Sequence, residues 1–220
     1  VKVTGGSLSV TAAGTDQNFA ETTSGSYGLA GVASASAETR TTSTTVARID
    51  NRTQSGRIID LTGNFRLAAE HTALPNSKVR SEAGGLFGGA GAEVDNTITS
   101  TVQANIGNNV TVYAKNLTVE AINHVNKPMI EGGNIRGEAG GLIAGGGADS
   151  VTTISLTTLA TIGDGAWLEV EGDPANPGTF IVRTLNDILA SEKAFLFAAG
   201  GLSGLFGDAS ITAHNDLSRI

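Results

Sequence analysis

Isolated chemistry is the first thing the residues offer. His71, His124 and His214 stand alone, with no HxH or HxxxH pair that would set two imidazoles on one metal, so surface positions are the plainer reading. Asp60, Glu70, Glu120, Glu131 and Glu169 are scattered singly. A glycan-cleaving site needs clustered carboxylates with Arg or Lys at one groove, so catalysis is not expected. The many serines allow a Ser/His/Asp set to be assembled from distant positions, yet no nucleophile elbow marks one.

The glycine runs lack the following Lys-Ser/Thr of a phosphate loop, and close backbone packing explains them better. Asp149 follows GGGA and Asp208 follows GLFG, but without the tandem nonapeptides of a calcium roll. Asp164 and Asp173 are the remaining candidates for loop calcium. The expectation is therefore no cofactor and no metal. Trp167 and Tyr113 could stack on sugars, and Asn51, Asn109 and Asn116 open N-x-Thr sequons.

Composition bounds the partners. The chain of 220 residues carries a net charge of −7, contains no cysteine, and has 30 glycines against 7 Phe, 1 Trp and 2 Tyr. No Lys/Arg cluster approaches a nucleic-acid footprint, and thiolate chemistry is excluded. No apolar run is long enough for a helical membrane span, and no export signal opens the segment. A core has to be built from Ala, Val, Ile, Leu and Thr, which favour strands.

The elements that would position any site come from an internal repeat. The phrases YGLAGVASA, GGLFGGAGA, GGLIAGGGA and GGLSGLFGDA carry Leu29, Leu86, Leu142 and Leu202 at steps of 57, 56 and 60 residues. In the first three copies an isoleucine (Ile49, Ile106, Ile162) follows the leucine by 20 residues without a gap. Alternate positions on the way hold Ala35, Ala92 and Ala148, then Ala47, Ala104 and Ala160. The complementary set holds Thr42, Thr99 and Ser155, then Thr44, Thr101 and Thr157. One apolar and one hydroxylated face with period two indicates a half-buried strand. The leucines, these alanines and the isoleucines are accordingly expected inside. A threonine array of this kind could order ice, but Arg40 interrupts the column of Thr97 and Thr153.

Each such stretch is preceded by two short apolar strands about a Gly or Asn turn: VKVTGGSLSVTA from Val1, IIDLTGNFRLAA from Ile58, VTVYAKNLTVEA from Val110, and WLEVEGDPANPGTFIVRT from Trp167. The fourth unit is degenerate, with His214 and Asp216 in the pattern and only 18 residues from Leu202 to Ile220. The chain reads as one array of four units, 1–49, 50–106, 107–162 and 163–220.

A 20-residue strand would span about 65 Å if straight, so it bends, and the glycines are where it can. We expect an all-β fold, a right-handed parallel β-helix (β-solenoid) of four repeats of about 57 residues, each making two or three coils. One large coil per unit, a stacked sandwich, and a helix at the Gly-Gly-Leu segments remain open on periodicity alone.

The "VTVxAxNLTVEA" strand pair, the "EAGGLxxGGGA" stretch and the "TxxAxIG" ending resemble the repetitive passengers of large filamentous adhesins, the haemagglutinin-like and leukotoxin-like secreted proteins of Gram-negative bacteria. The likeness covers essentially the whole chain, most clearly 81–163. It implies type V or similar export, an extracellular or cell-surface location, and a role in adhesion or biofilm. It names no binding residue. The pattern runs to the last residue, so the partners expected are neighbouring repeats or copies of the chain end to end, with a host or matrix glycan or protein as ligand. Polysaccharide binding or cleavage by a β-helix is the alternative.

Overall fold

The structure is a computed structural model. It describes residues 2–53, 59–172 and 174–219, with no side-chain description of Arg219. Val1, Ile58, Asp173 and Ile220 of the sequence reading lie outside the described residues.

Every described element is a strand: β1 Val3–Thr4, β2 Leu8–Ile49, β3 Ile59–Asp60, β4 Asn64–Ile106, β5 Thr111–Ala114, β6 Asn116–Lys127, β7 Ile135–Gly140, β8 Ile143–Ile162, β9 Trp167–Val170, β10 Phe180–Ala190, β11 Ala194–Ala199 and β12 Leu202–Arg219. No helix forms at the Gly-Gly-Leu segments. A small sheet has the order β1-β3-β5-β9. A large one has β4 at its centre, paired with β2 on one side and with β6, β7 and β8 on the other, while β10, β11 and β12 follow on β6, β7 and β8. All of these pairings are parallel.

Register fixes how the chain travels. Leu8 pairs with Phe65, Asn64 with Asn116, Phe87 with Ile143, Leu117 with Phe180 and Leu202 with Ile143. The partner is always about one repeat away, never a half or a third. The expected two or three coils per unit are therefore replaced by one large circuit, because sequence period reveals the length of a repeat and not its corners.

Within β4, two arms face each other across a narrow interior. Val79 packs with Ala92 and Val94, Ala73 with Ile98, and Ser77 Oγ donates to Asn96 Oδ1 at 3.0 Å. The inward residues change size along the arms. Near the bend the cluster is Ala33, Ala83, Ala90, Ala139 and Ala144 alone. Farther along, valines and isoleucines join, and at the wide end Phe65, Leu67, Val102, Ile106, Val112, Leu117 and Val119 pack together. The section is a wedge that closes at the glycines.

That taper corrects the reading of the leucines. Leu29, Leu86, Leu142 and Leu202 are 77, 43, 61 and 68% exposed. At the bend, a Cβ on Gly85 would lie 2.0 Å from the Gly28 carbonyl oxygen, and one on Gly88 2.5 Å from that of Gly140. Backbones touch there, so no cavity remains for a leucine, which lies outside the closed tip. Ala47, Ala104, Ala160 and Ile106 are buried in the wide cluster, with Ile49 half-buried against it and Ile162 half-buried in the column of Ile106.

The wide end is closed by β5 and its equivalents. The two short strands around each Gly or Asn turn belong to different sheets, so these turns are corners and not hairpins. Asparagines bridge successive circuits at the corners. Asn108 N donates to Asn51 Oδ1 at 2.8 Å, Asp164 N to Asn108 Oδ1 at 2.9 Å, and Asn116 Nδ2 to Asn64 Oδ1 at 2.7 Å. Asn109 takes a left-handed φ of 57° and its Nδ2 donates to the Arg52 carbonyl at 3.2 Å. Asn116 Oδ1 accepts from Thr179 N at 2.9 Å, so the sequon asparagines Asn51, Asn109 and Asn116 each bond the backbone of a neighbouring circuit.

Candidate functional site

Three groupings of titratable residues bear on a site, two inside and one outside. Between the alanine tip and the apolar base the interior mixes buried polar residues with the valines and isoleucines. His71, 2% exposed, has Ser43 Oγ at 2.9 Å and Asp16 Oδ2 at 3.3 Å from Nε2, and Thr45 Oγ1 at 3.3 Å from Nδ1. Serine, histidine and aspartate do meet here. However, a hydrolytic triad needs the carboxylate on the nitrogen opposite the serine, and here both share Nε2. A buried imidazole whose ring nitrogens face hydroxyls and a carboxylate holds two strands together.

The second place pairs Lys127 with Glu192. The ammonium lies 2.5 Å from Glu192 Oε1, to which Thr152 Oγ1 also donates at 2.5 Å; Lys127 is fully buried and Glu192 3% exposed. Such a pair is stable only because both charges are matched; removing one would strand the other.

The third place is on the outer face near the bend, and it was not among the sequence candidates. Parallel register aligns Arg80 with Arg136 and Phe195, and Glu82 with Glu138 and Phe197. Arg80 binds Glu82 and reaches Glu138 at 3.4 Å, while Arg136 Nε donates to Glu138 Oε1 at 2.7 Å and its guanidinium lies 5.0 Å from the centre of the Phe195 ring. Tyr27 OH donates to Glu82 Oε2 at 2.9 Å. The Tyr27 ring lies over Gly84, where a Cβ would come within 2.9 Å of it; at Gly140 an added Cβ would meet nothing. The result is a groove of about 230 Å³ lined by Tyr27, Glu82, Glu138, Gly140 and Phe197.

Electrostatics there follow from contact. The hydrogen bond from Tyr27, then that from Arg80, hold the Glu82 carboxyl below its ordinary value. The same bond to Glu82, reinforced by its charge, raises the Tyr27 phenol. The Glu82 carboxylate and the Tyr27 phenol oxygen, whose one hydrogen goes to Glu82, can both accept hydrogen bonds from the hydroxyls of a polyhydroxylated ligand, with Phe197 as an apolar face. The Arg-x-Glu of RSEAGG and RGEAGG was the available signal.

The other sequence candidates do not join this groove. Glu120, 3% exposed, is clasped between Arg66 Nε and Arg183 Nε, each at 2.7 Å. His124 lies 3.7 Å from Glu70 and 3.3 Å from Asp187. Trp167 Nε1 donates to Glu169 at 2.9 Å. The Thr42, Thr99 and Ser155 column is aligned on the outer face, as is that of Thr44, Thr101 and Thr157. Asp149 and Asp208 stack with Glu93, His214 aligns with Ser155 and Asp216 with Thr157. Among the described residues no three His, Asp or Glu side chains are placed to hold a metal ion. No described helix is long and apolar enough to cross a membrane.

No family model, curated protein or solved structure matches this chain.

Proposed function

We propose that this chain is a structural and adhesive module without catalysis, a right-handed parallel β-helix of four units belonging to a secreted or cell-surface bacterial filament of the haemagglutinin-like or leukotoxin-like kind. The observation that carries the proposal is the parallel register that advances one repeat per strand through the whole sheet. Parallel crossovers are right-handed in nearly all proteins, which supports the hand. Repetition of one circuit builds length and outer surface without a closed pocket, as suits a stalk that displays contacts. The long edges of β2 and β12 suit cover by neighbouring circuits, from further repeats or from copies of the chain.

The ligand face we assign is the Tyr27 groove, and the ligand class a matrix or host glycan. A polysaccharide-cleaving enzyme is the second reading, favoured by one observation: Glu82 and Glu138 are register partners on adjacent strands, whose backbones lie about 4.8 Å apart. Against it stands the depressed Glu82, which is held ionised where a general acid must keep its proton. Retention of the chain on immobilised acidic and neutral polysaccharides, read together with release of reducing or unsaturated ends, separates the two. Retention without release, lost in Tyr27→Ala, is expected. Release that disappears in Glu138→Gln would overturn the non-catalytic reading, and no retention on any matrix would remove the groove from the proposal.

A further inference from the structure

The strand β10 has one neighbour among the described residues, β6, and no described strand covers its other edge. Its sequence, FIVRTLNDILA, is a physical palindrome about Leu185. Reading outward from the centre, Thr184 answers Asn186, Arg183 answers Asp187, Val182 answers Ile188, Ile181 answers Leu189 and Phe180 answers Ala190.

The two faces of the strand keep this match separate. Val182 packs against the wide-end cluster and Ile188 against the one beside it, so Val182, Thr184, Asn186 and Ile188 point inward. Ile181, Arg183, Leu185, Asp187 and Leu189 point outward, and Ile181, Leu185 and Leu189 are 43, 45 and 61% exposed. The positions aligned with Ile181, Leu185 and Leu189 in the preceding circuit are Thr118, Ile122 and Asn126, so two of these three outward positions become apolar at this edge. Such a gain of exposed apolar surface marks a contact.

We infer that β10 pairs antiparallel with β10 of a second copy about a two-fold axis through Leu185. Antiparallel pairing sets residues that are equally far from the axis directly opposite one another, and an isologous contact makes each such pair twice. On the outer face Leu185 meets Leu185, Ile181 meets Leu189, and two Arg183–Asp187 ion pairs form. Inside, Val182 meets Ile188 and Thr184 meets Asn186.

The charges are able to take on these second partners. Arg183 and Asp187 side chains are 56 and 66% exposed; Arg183 contacts Glu120 through Nε and Nη2, and Asp187 contacts His124 through Oδ2. A parallel cover in the register of β2 fits worse. It would set Asp16 against Ile188 inside, and Thr11 and Thr15 against Arg183 and Asp187 outside. The pairing does not depend on adhesion, and it joins two chains with β2 facing away at each end.

Sedimentation velocity of the whole chain and of Arg183→Asp and Asp187→Arg tests it. The expected result is a dimer for the wild type, and for each variant alone a dimerisation roughly tenfold weaker or more, since two attractive cross-strand pairs become repulsive. Mixing the two variants restores the dimer. The aspartate introduced at position 183 of one chain then meets the arginine introduced at position 187 of the other, and the native Asp187 of the first meets the native Arg183 of the second. A misfolded variant could not be rescued in this way. Leu185→Cys, in a chain with no other cysteine, forms a disulfide-linked dimer on oxidation, the paired Cα atoms being about 4.5–5.5 Å apart. A wild-type monomer at tens of micromolar, an open-ended series of oligomers unaffected by either variant, or a mixture no more associated than its components would each overturn the inference.

Discussion

At the scale of single residues, the glycines divide by what a methyl group would strike. Gly85 has the Gly28 carbonyl oxygen in the way at 2.0 Å, whereas a Cβ on Gly91 would find its nearest neighbour, Ser34 Oγ, at an ordinary 3.6 Å. Gly85→Ala is expected to cost about 2–3 kcal/mol or more in chemical denaturation, because two backbones must separate at the bend. Gly91→Ala, in an extended strand that glycine weakens, should be neutral or stabilise by about 0.5–1 kcal/mol. Equal losses at both sites would show that the bend is not the tight point. Beside it, the Tyr27–Glu82 bond predicts a titration. Tyr27→Phe removes the largest cause of the Glu82 depression, so that carboxyl should move up toward 4.5 while remaining below it through Arg80. A depressed carboxyl stabilises the fold above its unfolded value and loses that effect as pH falls through its folded one. The variant should therefore lose less stability than wild type on acidification below about pH 4.5. NMR titration of the Glu82 side chain reads the shift, and an unchanged value would mean that Arg80 alone sets it.

At the scale of the strand, inward side chains are graded to the width of the wedge. Ala90 sits in the all-alanine cluster and Ile106 in the wide one. Ala90→Leu is expected to cost about 1–3 kcal/mol by overpacking, and Ile106→Asp several kcal/mol by burying an unpaired charge, both read as a fall in melting temperature. Wild-type melting of Ile106→Asp would contradict its burial. This grading also shows how far the sequence could be read. Alternation along 92–106 was legible because a half-buried strand leaves period two in the residue types, and Ala47, Ala104 and Ala160 were found by it. The leucines obey the same alternation but sit where the facing arms have converged, and the distance between arms leaves no trace in a single strand. The Tyr27 groove was hidden for another reason. Comparing repeats looks for what successive units share: the paired Arg-x-Glu at Arg80 and Arg136 recurs, but Tyr27 and Phe197, which complete the groove, do not.

For the whole molecule, each strand's partner lies about 57 residues away, so none of the ladder forms by local closure. Loop closure has to precede reward, which makes refolding slow, in the range of milliseconds to seconds or beyond. The finished ladder is unequal. β4 is paired on both edges over most of its length, while β2 and β12 each have one described neighbour. Opening an outer strand breaks one row of hydrogen bonds; opening β4 breaks two and separates the arms it joins. Native-state hydrogen exchange should therefore find the amides of Ile98 and Val102 opening only with global unfolding, and those of β2 and β12 exchanging roughly a hundredfold faster. β10 belongs to the fast group in dilute solution and should gain protection as concentration rises, because pairing with a second copy covers its free edge. Uniform exchange across β2, β4 and β12 would mean that the stack opens as one unit, and concentration-independent exchange in β10 would leave that edge without its partner.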